Sequence, residues 1–147
     1  MSVTSDQEDD PAMDRSGLLV VDAANVVGAR PDGWWRDRAA AVRRLLAALS
    51  CTFADGECDV VVVVEGAGRE GADPGAFDGL QVVHAPGSGD DAVVDVVTAA
   101  TASNKTRRVT VVTADRGLRE RVEGLGAQTM GPRALWDRLD GAPHWTD

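Results

Sequence analysis

Cysteine, histidine and lysine are all scarce in this sequence, and each scarcity removes a class of chemistry. Cys51 and Cys58 are separated by six residues with no histidine nearby, so they form neither a CxxC redox pair nor a zinc knuckle. They read as two reduced thiols of a cytosolic protein. His84 and His144 are isolated, and without a matched serine or cysteine nucleophile there is no triad. No Gly-x-Gly-x-x-Gly follows the first strand and no Walker lysine loop occurs, so there is no dinucleotide fingerprint at the first strand and no P-loop. Long apolar runs are missing as well. The longest valine run is Val60 to Val64, far short of the ~20 apolar residues that span a bilayer. The opening MSVTSDQEDDPAMDRS has no basic start and no apolar stretch, which does not fit a signal peptide. The expectation is a cytoplasmic protein with no membrane partner.

Positive charge is also in short supply. Lys and Arg number 15 against 24 Asp and Glu, a net charge of −9. That balance counts against a protein that passively coats nucleic acid. The excess is uneven: Asp6, Glu8, Asp9, Asp10 and Asp14 face only Arg15 in residues 1–16. Such single-signed polar segments are usually disordered, so 1–16 is expected to be an acidic tail. Lys105 is the only lysine; the arginine bias fits the codon usage of a GC-rich genome better than a phosphate-binding device.

What remains is one domain. The 147 residues are 44% apolar, enough for a single core without staples. Apolar runs at 17–22, 59–65, 80–85, 108–113 and 127–130 predict five strands. The helical spacing of Trp35, Ala39, Val42, Leu46 and Leu49 predicts a helix over 35–50 with Trp35 in the core. Further helices are predicted over 88–102, opened by Ser88 and Asp91 in capping-box spacing, over 116–123, and after Pro132. Residues 66–79 hold five glycines and one proline and read as a mobile loop with room for a short turn opened by Asp73-Pro74. Alternating strands and helices with continuously apolar strands indicate an α/β domain: a mainly parallel sheet covered on both faces. The domain is placed at 17–141, with a short tail at 142–147.

Acids recur at the carboxyl ends of these strands, where parallel sheets gather ligands. Asp22 closes the first strand and Asn25 follows three residues later. Glu65 closes the second. Asp90 and Asp91 lie beyond the third, at a helix start, with Asp95 one turn after Asp91. Asp115 follows the fourth in Thr113-Ala-Asp-Arg-Gly-Leu118. Singly, Asp90, Asp91 and Asp115 read as helix caps, Asp95 as a solvated side chain, Asn25 as a turn residue, and Glu65 as an arginine's partner. Together they repel: at ~4 Å and an effective dielectric of about 20, each like-charge pair costs about 4 kcal/mol. A cation relieves that, and oxygen-only ligands specify a hard one such as Mg²⁺ or Mn²⁺.

The stretches LLVVDAANVVGA, GSGDDAVVDVV and VTVVTADRGLRERVEGLGAQTMGP, which lie within residues 17–139, together resemble the NYN group of PIN-like ribonucleases, in particular its bacterial YacP-like branch. The resemblance implies a three-layer α/β/α domain with strand order 3-2-1-4-5 and a Mg²⁺- or Mn²⁺-dependent RNA-hydrolysing site. By matching position it makes Asp22, Asp91 and Asp115 the metal-binding carboxylates, Asn25 the polar residue after the first acid, and Asp95 an extra acid. Asp90 or Asp95 is left to hold a second ion or take a proton. Arg30, Arg69 and Arg116 are candidates to guide single-stranded or structured RNA, and Trp34 and Trp35 to stack on bases. The family often has glycine where Ala23 or Ala24 stands, and 66–79 matches nothing in it, so specificity is not carried over. A homodimer stays open, as does a catalytically silent PIN-like module that binds RNA or a protein partner. A receiver domain needs a lysine after its fifth strand and none lies beyond Lys105; a dehalogenase-type phosphatase needs Asp-x-Asp-x-Thr, and Asp22-Ala-Ala-Asn-Val excludes it.

Overall fold

The computed structural model describes residues 17–30, 33–54 and 56–141; the expected tails at 1–16 and 142–147 lie outside them. Valine and leucine dominate the strands because both faces of the sheet are covered. The central strand β1 (Leu18–Asp22) is buried along its whole length. It pairs in parallel with β2 (Asp59–Val64) on one side and β5 (Val109–Val112) on the other. Outside β2 come β4 (Leu80–His84), parallel, and β3 (Gly75–Phe77), antiparallel at the edge; outside β5 comes β6 (Gln128–Met130). The sheet order is β3-β4-β2-β1-β5-β6. Its five parallel strands stand in the order that the family resemblance implies.

Alternate residues of β1 face opposite layers, as the period of two requires. Leu19 and Val21 join the core under helices α1 (Ala23–Gly28), α2 (Arg38–Thr52) and α5 (Pro132–Gly141). Leu18 and Val20 join a second core under α3 (Gly89–Ser103) and α4 (Arg116–Glu123). The result is three layers, α/β/α. Register then sets the site: Asp22 pairs with Val63 and Val21 with Val112, so β1, β2 and β5 end almost level.

Two expectations give way. Residues 66–79 are ordered into a 3-10 turn (Gly66–Gly71) and the edge strand β3. Asp78 (φ +45°) and Gly79 (φ +86°) form the two-residue turn between Phe77 and Leu80, a geometry for which Asp-Gly is the favoured pair. The second change concerns Trp35. Asp37 caps α2 by accepting from the Ala40 amide at 3.0 Å, so the helix begins after the tryptophans, which lie in a 3-10 turn (Trp34–Arg36). Trp35 is therefore 55% exposed instead of core, and the buried stripe of α2 is Ala41, Val42, Leu45, Leu46 and Leu49.

The 3-10 turn at 66–71 rests directly on α2. A Cβ at Gly71 would stand 2.6 Å from the Ala39 carbonyl oxygen and 2.9 Å from Val42 Cβ, whereas one at Gly87 meets nothing within 4 Å. Gly71→Ala should lower stability by about 1–3 kcal/mol, the usual cost of overpacking. Gly87→Ala should stay within about 0.5 kcal/mol, as surface changes do. Urea midpoints of the two variants check this.

Candidate active site

Asp22 ends the central strand and is only 3% exposed. A carboxylate in that position needs donors, and two side chains supply them. Asn25, in the first turn of α1, donates from Nδ2 to Asp22 Oδ2 at 2.7 Å. Thr113, itself 0% exposed at the end of β5, donates from Oγ1 to the same oxygen at 2.9 Å. Burial pushes the Asp22 carboxyl above its usual range and the Asp90 charge adds to that; the hydrogen bonds from Thr113 and Asn25 hold it down.

The same contacts tie β1 to β5. Asn25 Oδ1 accepts from the Ala114 amide at 3.3 Å, and Thr113 Oγ1 accepts from the Asp115 amide at 3.2 Å. Asp115 caps α4, its Oδ1 accepting from the Leu118 amide at 2.9 Å. The capping role and the place in the cluster therefore coexist in one side chain.

On the other side of Asp22, Glu65 leaves β2 and its Oε1 accepts the Gly89 amide at the start of α3, at 2.5 Å. Among the described residues it pairs with no arginine. A Cβ at 89 would fall 2.2 Å from Glu65 Oε1, so a larger residue there would displace this carboxylate from the amide. Ser88 caps α3 by accepting from the Asp91 amide at 3.2 Å. That sets the phase of the helix: Asp90 shares a face with Val93 and Val97 and is half-buried, while Asp91 and Asp95 are exposed. The Asp90 carboxyl is raised by burial first, then by the charges of Asp115 and Glu65, with Arg121 opposing.

The structure thus gathers Asp22, Asp90, Asp115 and Glu65, with Asn25 and Thr113 as supports. It does not bring Asp91 inward: that side chain is 72% exposed and pairs with Arg121 Nη2 at 3.1 Å. Among the described residues, no three His, Cys, Asp or Glu side chains are grouped closely enough to hold an ion between them. The donors are oxygen-only, which suits a hard cation that keeps most of its waters and takes one or two carboxylates.

The proposed RNA-guiding residues separate. Arg69 sits by the cluster, donating to the Gly66 carbonyl at 3.2 Å and the Ala85 carbonyl at 3.4 Å. Arg116 is exposed at the first position of α4, beside Asp115. Arg30 is committed elsewhere, paired with Asp140 and lying 4.1 Å over the Trp136 ring. Trp34 is half-buried, edge-to-face with Trp35 at 6.1 Å. Thr113 and Gly89 are site residues that pattern reading passed over. Thr113 carried a signal, a hydroxyl directly after the strand Val109–Val112 and two residues before Asp115; Asp90 carried one too, its i, i+3, i+7 spacing with Val93 and Val97.

A doubly covered parallel sheet with acids at the carboxyl ends of its central strands fits a PIN-like domain of nuclease type. The family model of the YacP-like NYN domain matches residues 19–145, and the chain belongs to that family. Two crystal structures of Rae1 (YacP) from Bacillus subtilis share its fold. A tryptophan-to-leucine variant superposes with a TM-score of 0.72 at 19% identity, covering 86% of this chain and 77% of that one. The other gives 0.71 at 19% identity, covering 88% and 76%. None of the curated proteins matches in sequence. No described helix is long and apolar enough to cross a membrane.

The raised Asp22 carboxyl makes a signed prediction. A carboxyl raised on folding binds its proton more tightly in the native state, so it favours folding at low pH and loses that contribution as pH climbs through the folded value. Asp22→Asn removes the titration. In chelator, the stability of Asp22→Asn relative to the parent should rise from about pH 4, the ordinary aspartate range, toward neutrality. Denaturant titrations at several pH values would show a flat difference if Asp22 were unperturbed.

Proposed function

We propose that the chain is a divalent-metal-dependent ribonuclease that hydrolyses phosphodiester bonds in RNA. One observation carries the reading: a buried Asp22, held by Asn25 and Thr113, shares its cleft with Asp90, Asp115 and Glu65. A fold that merely needed caps would not aim a half-buried Asp90 at three other acids. Membership of the YacP-like NYN family supports it. Cys51 and Cys58 form no disulfide with each other, which fits a reducing cytoplasm.

In this reading Asp22 and Asp115 would be the one or two carboxylates that hold Mg²⁺ or Mn²⁺, the rest of the ion's shell being water, and the ion would supply charge neutralisation and water activation. The protein's own groups do the rest. Asn25 and Thr113 fix the Asp22 carboxylate so that it cannot turn away. Asp90, whose carboxyl is raised, is placed to take a proton at its carboxylate during attack on phosphorus. Arg69 and Arg116 offer positive charge to an incoming phosphodiester backbone at the rim of a cleft that otherwise repels it. The loose grouping of the acids favours one alternative, a silent module that binds RNA or a protein without cutting.

Cleavage of mixed RNA with Mn²⁺ or Mg²⁺ separates the two, and chelator should abolish it. Asp90→Asn should cut the rate by roughly 10²-fold or more, the scale of lost acid–base or metal-ligand groups. Asp91→Asn should cost less than about tenfold, since it loses only an exposed ion pair. The reverse ranking would give the role to Asp91, as the family resemblance has it. Mn²⁺ at a hundredfold over its dissociation constant should add ~2.7 kcal/mol of stability; no melting shift with all acids intact would remove the ion from the scheme.

A further inference from the structure

A pocket of about 170 Å³ opens beside the acidic cleft, lined by Ala24, Val27, Trp34, Val42, Val64 and Glu65 among others. The two share walls. Ala24 is two residues past Asp22, and Glu65 both lines the pocket and acts on Asp90. The pocket's inner surface is valine, one side is the Trp34 indole, and its rim carries Arg38, whose guanidinium lies 5.4 Å from the Trp34 ring. Trp35 stands edge-on to Trp34 at 6.1 Å, exposed, with Arg36 5.7 Å from its ring. Neither Arg36 nor Arg38 has an ion pair among the described residues.

The walls are pre-formed. Gly68 and Gly71 let the 66–71 turn touch α2, where a Cβ at Gly68 would lie 3.1 Å from Val42 Cγ2. One polar group is left to select an occupant. Glu65 spends Oε1 on the Gly89 amide, and its Oε2 makes no hydrogen bond among the described residues. A flat, apolar-faced occupant with a donor on its edge and an anion at its flank satisfies all of these surfaces at once, and an unpaired nucleobase is such a group.

We propose that this pocket is a base-binding subsite that receives one unpaired nucleobase bearing an exocyclic amino group, next to the acidic cleft around Asp22. The amino group donates to Glu65, as cytosine N4 does to carboxylates elsewhere; the ring packs on Trp34, and Arg38 meets the adjoining phosphate. Uracil is disfavoured because its single N3–H lies between two carbonyl oxygens that face the carboxylate. The inference rests on the ribonuclease reading for its substrate, yet base selection is measurable without hydrolysis.

The test is binding of labelled six-nucleotide homopolymers of A, C and U to the full chain, at low salt in chelator, read by fluorescence anisotropy. A and C oligomers should bind roughly tenfold tighter than U, on the scale of one good base contact. Trp34→Leu and Ala24→Leu should each weaken the A and C oligomers by about fivefold or more, the low end of base–aromatic stacking. Ala24 is exposed on α1 and leucine is a good helix former, so the second variant fills the pocket without threatening the fold. Glu65→Gln should erase the preference over U. Equal binding of A and U by the parent chain, or unchanged binding by a folded Ala24→Leu, overturns the subsite. Cleavage of mixed RNA is scored separately: cutting without base preference leaves the ribonuclease reading and removes the subsite, whereas base-selective, Trp34-dependent binding without cutting does the opposite.

Discussion

Everything at this site depends on one carboxylate that the fold takes out of water. Asp22 ends the central strand, and its neighbours on both sides end at the same level. An unsupported charge there would be expensive, because burying a carboxylate without partners costs several kcal/mol. The structure meets that cost locally. Thr113 from the next strand and Asn25 from the next helix both donate to Oδ2, and both are tied in turn to the segment that carries Asp115. The hydrogen bonds that make Asp22 tolerable also fix the distance between β1 and β5. Moving either strand by one residue would break the support, so strand register and site geometry are one constraint.

Much of this was legible in the sequence, for a simple reason. Strands covered on both faces must be apolar throughout, and runs such as Val60 to Val64 leave little ambiguity. A charged residue at the end of such a run is conspicuous, which is how Asp22, Glu65 and Asp115 stood out. Less legible was anything decided by phase within a single turn. Asp90 and Asp91 are adjacent and chemically identical, and only the cap at Ser88 decides which of them faces the sheet. Matching position to a family chose Asp91; the helix geometry turns Asp90 inward. Trp35 illustrates the same limit, since its helical spacing with Ala39 and Val42 was real but Asp37 starts the helix after it. The edge strand β3 was hidden for another reason. Three residues containing a glycine carry almost no periodicity, and its mark was the Asp78-Gly79 turn.

A capping reading and a site reading compete for the same side chains in the sequence, and the structure has room for both. Three helices start around the cleft, and an acid is placed at each start: Asp22 before α1, Glu65 on the Gly89 amide of α3, Asp115 before α4. Helix N-termini favour negative charge by roughly 0.3–1 kcal/mol each, which offsets part of the mutual repulsion with no cation bound. Asp115 and Glu65 each give one oxygen to a backbone amide and keep the other free of hydrogen bonds among the described residues. A carboxylate has two oxygens, so a cap need not be only a cap. The divided duty also restricts orientation, because the capped oxygen anchors the group to the start of its helix. Asp90 differs. It caps nothing, it sits on the inner face of α3, and it is raised by burial and by two neighbouring acids. Of the four acids, it is the one whose carboxylate accepts no hydrogen bond among the described residues.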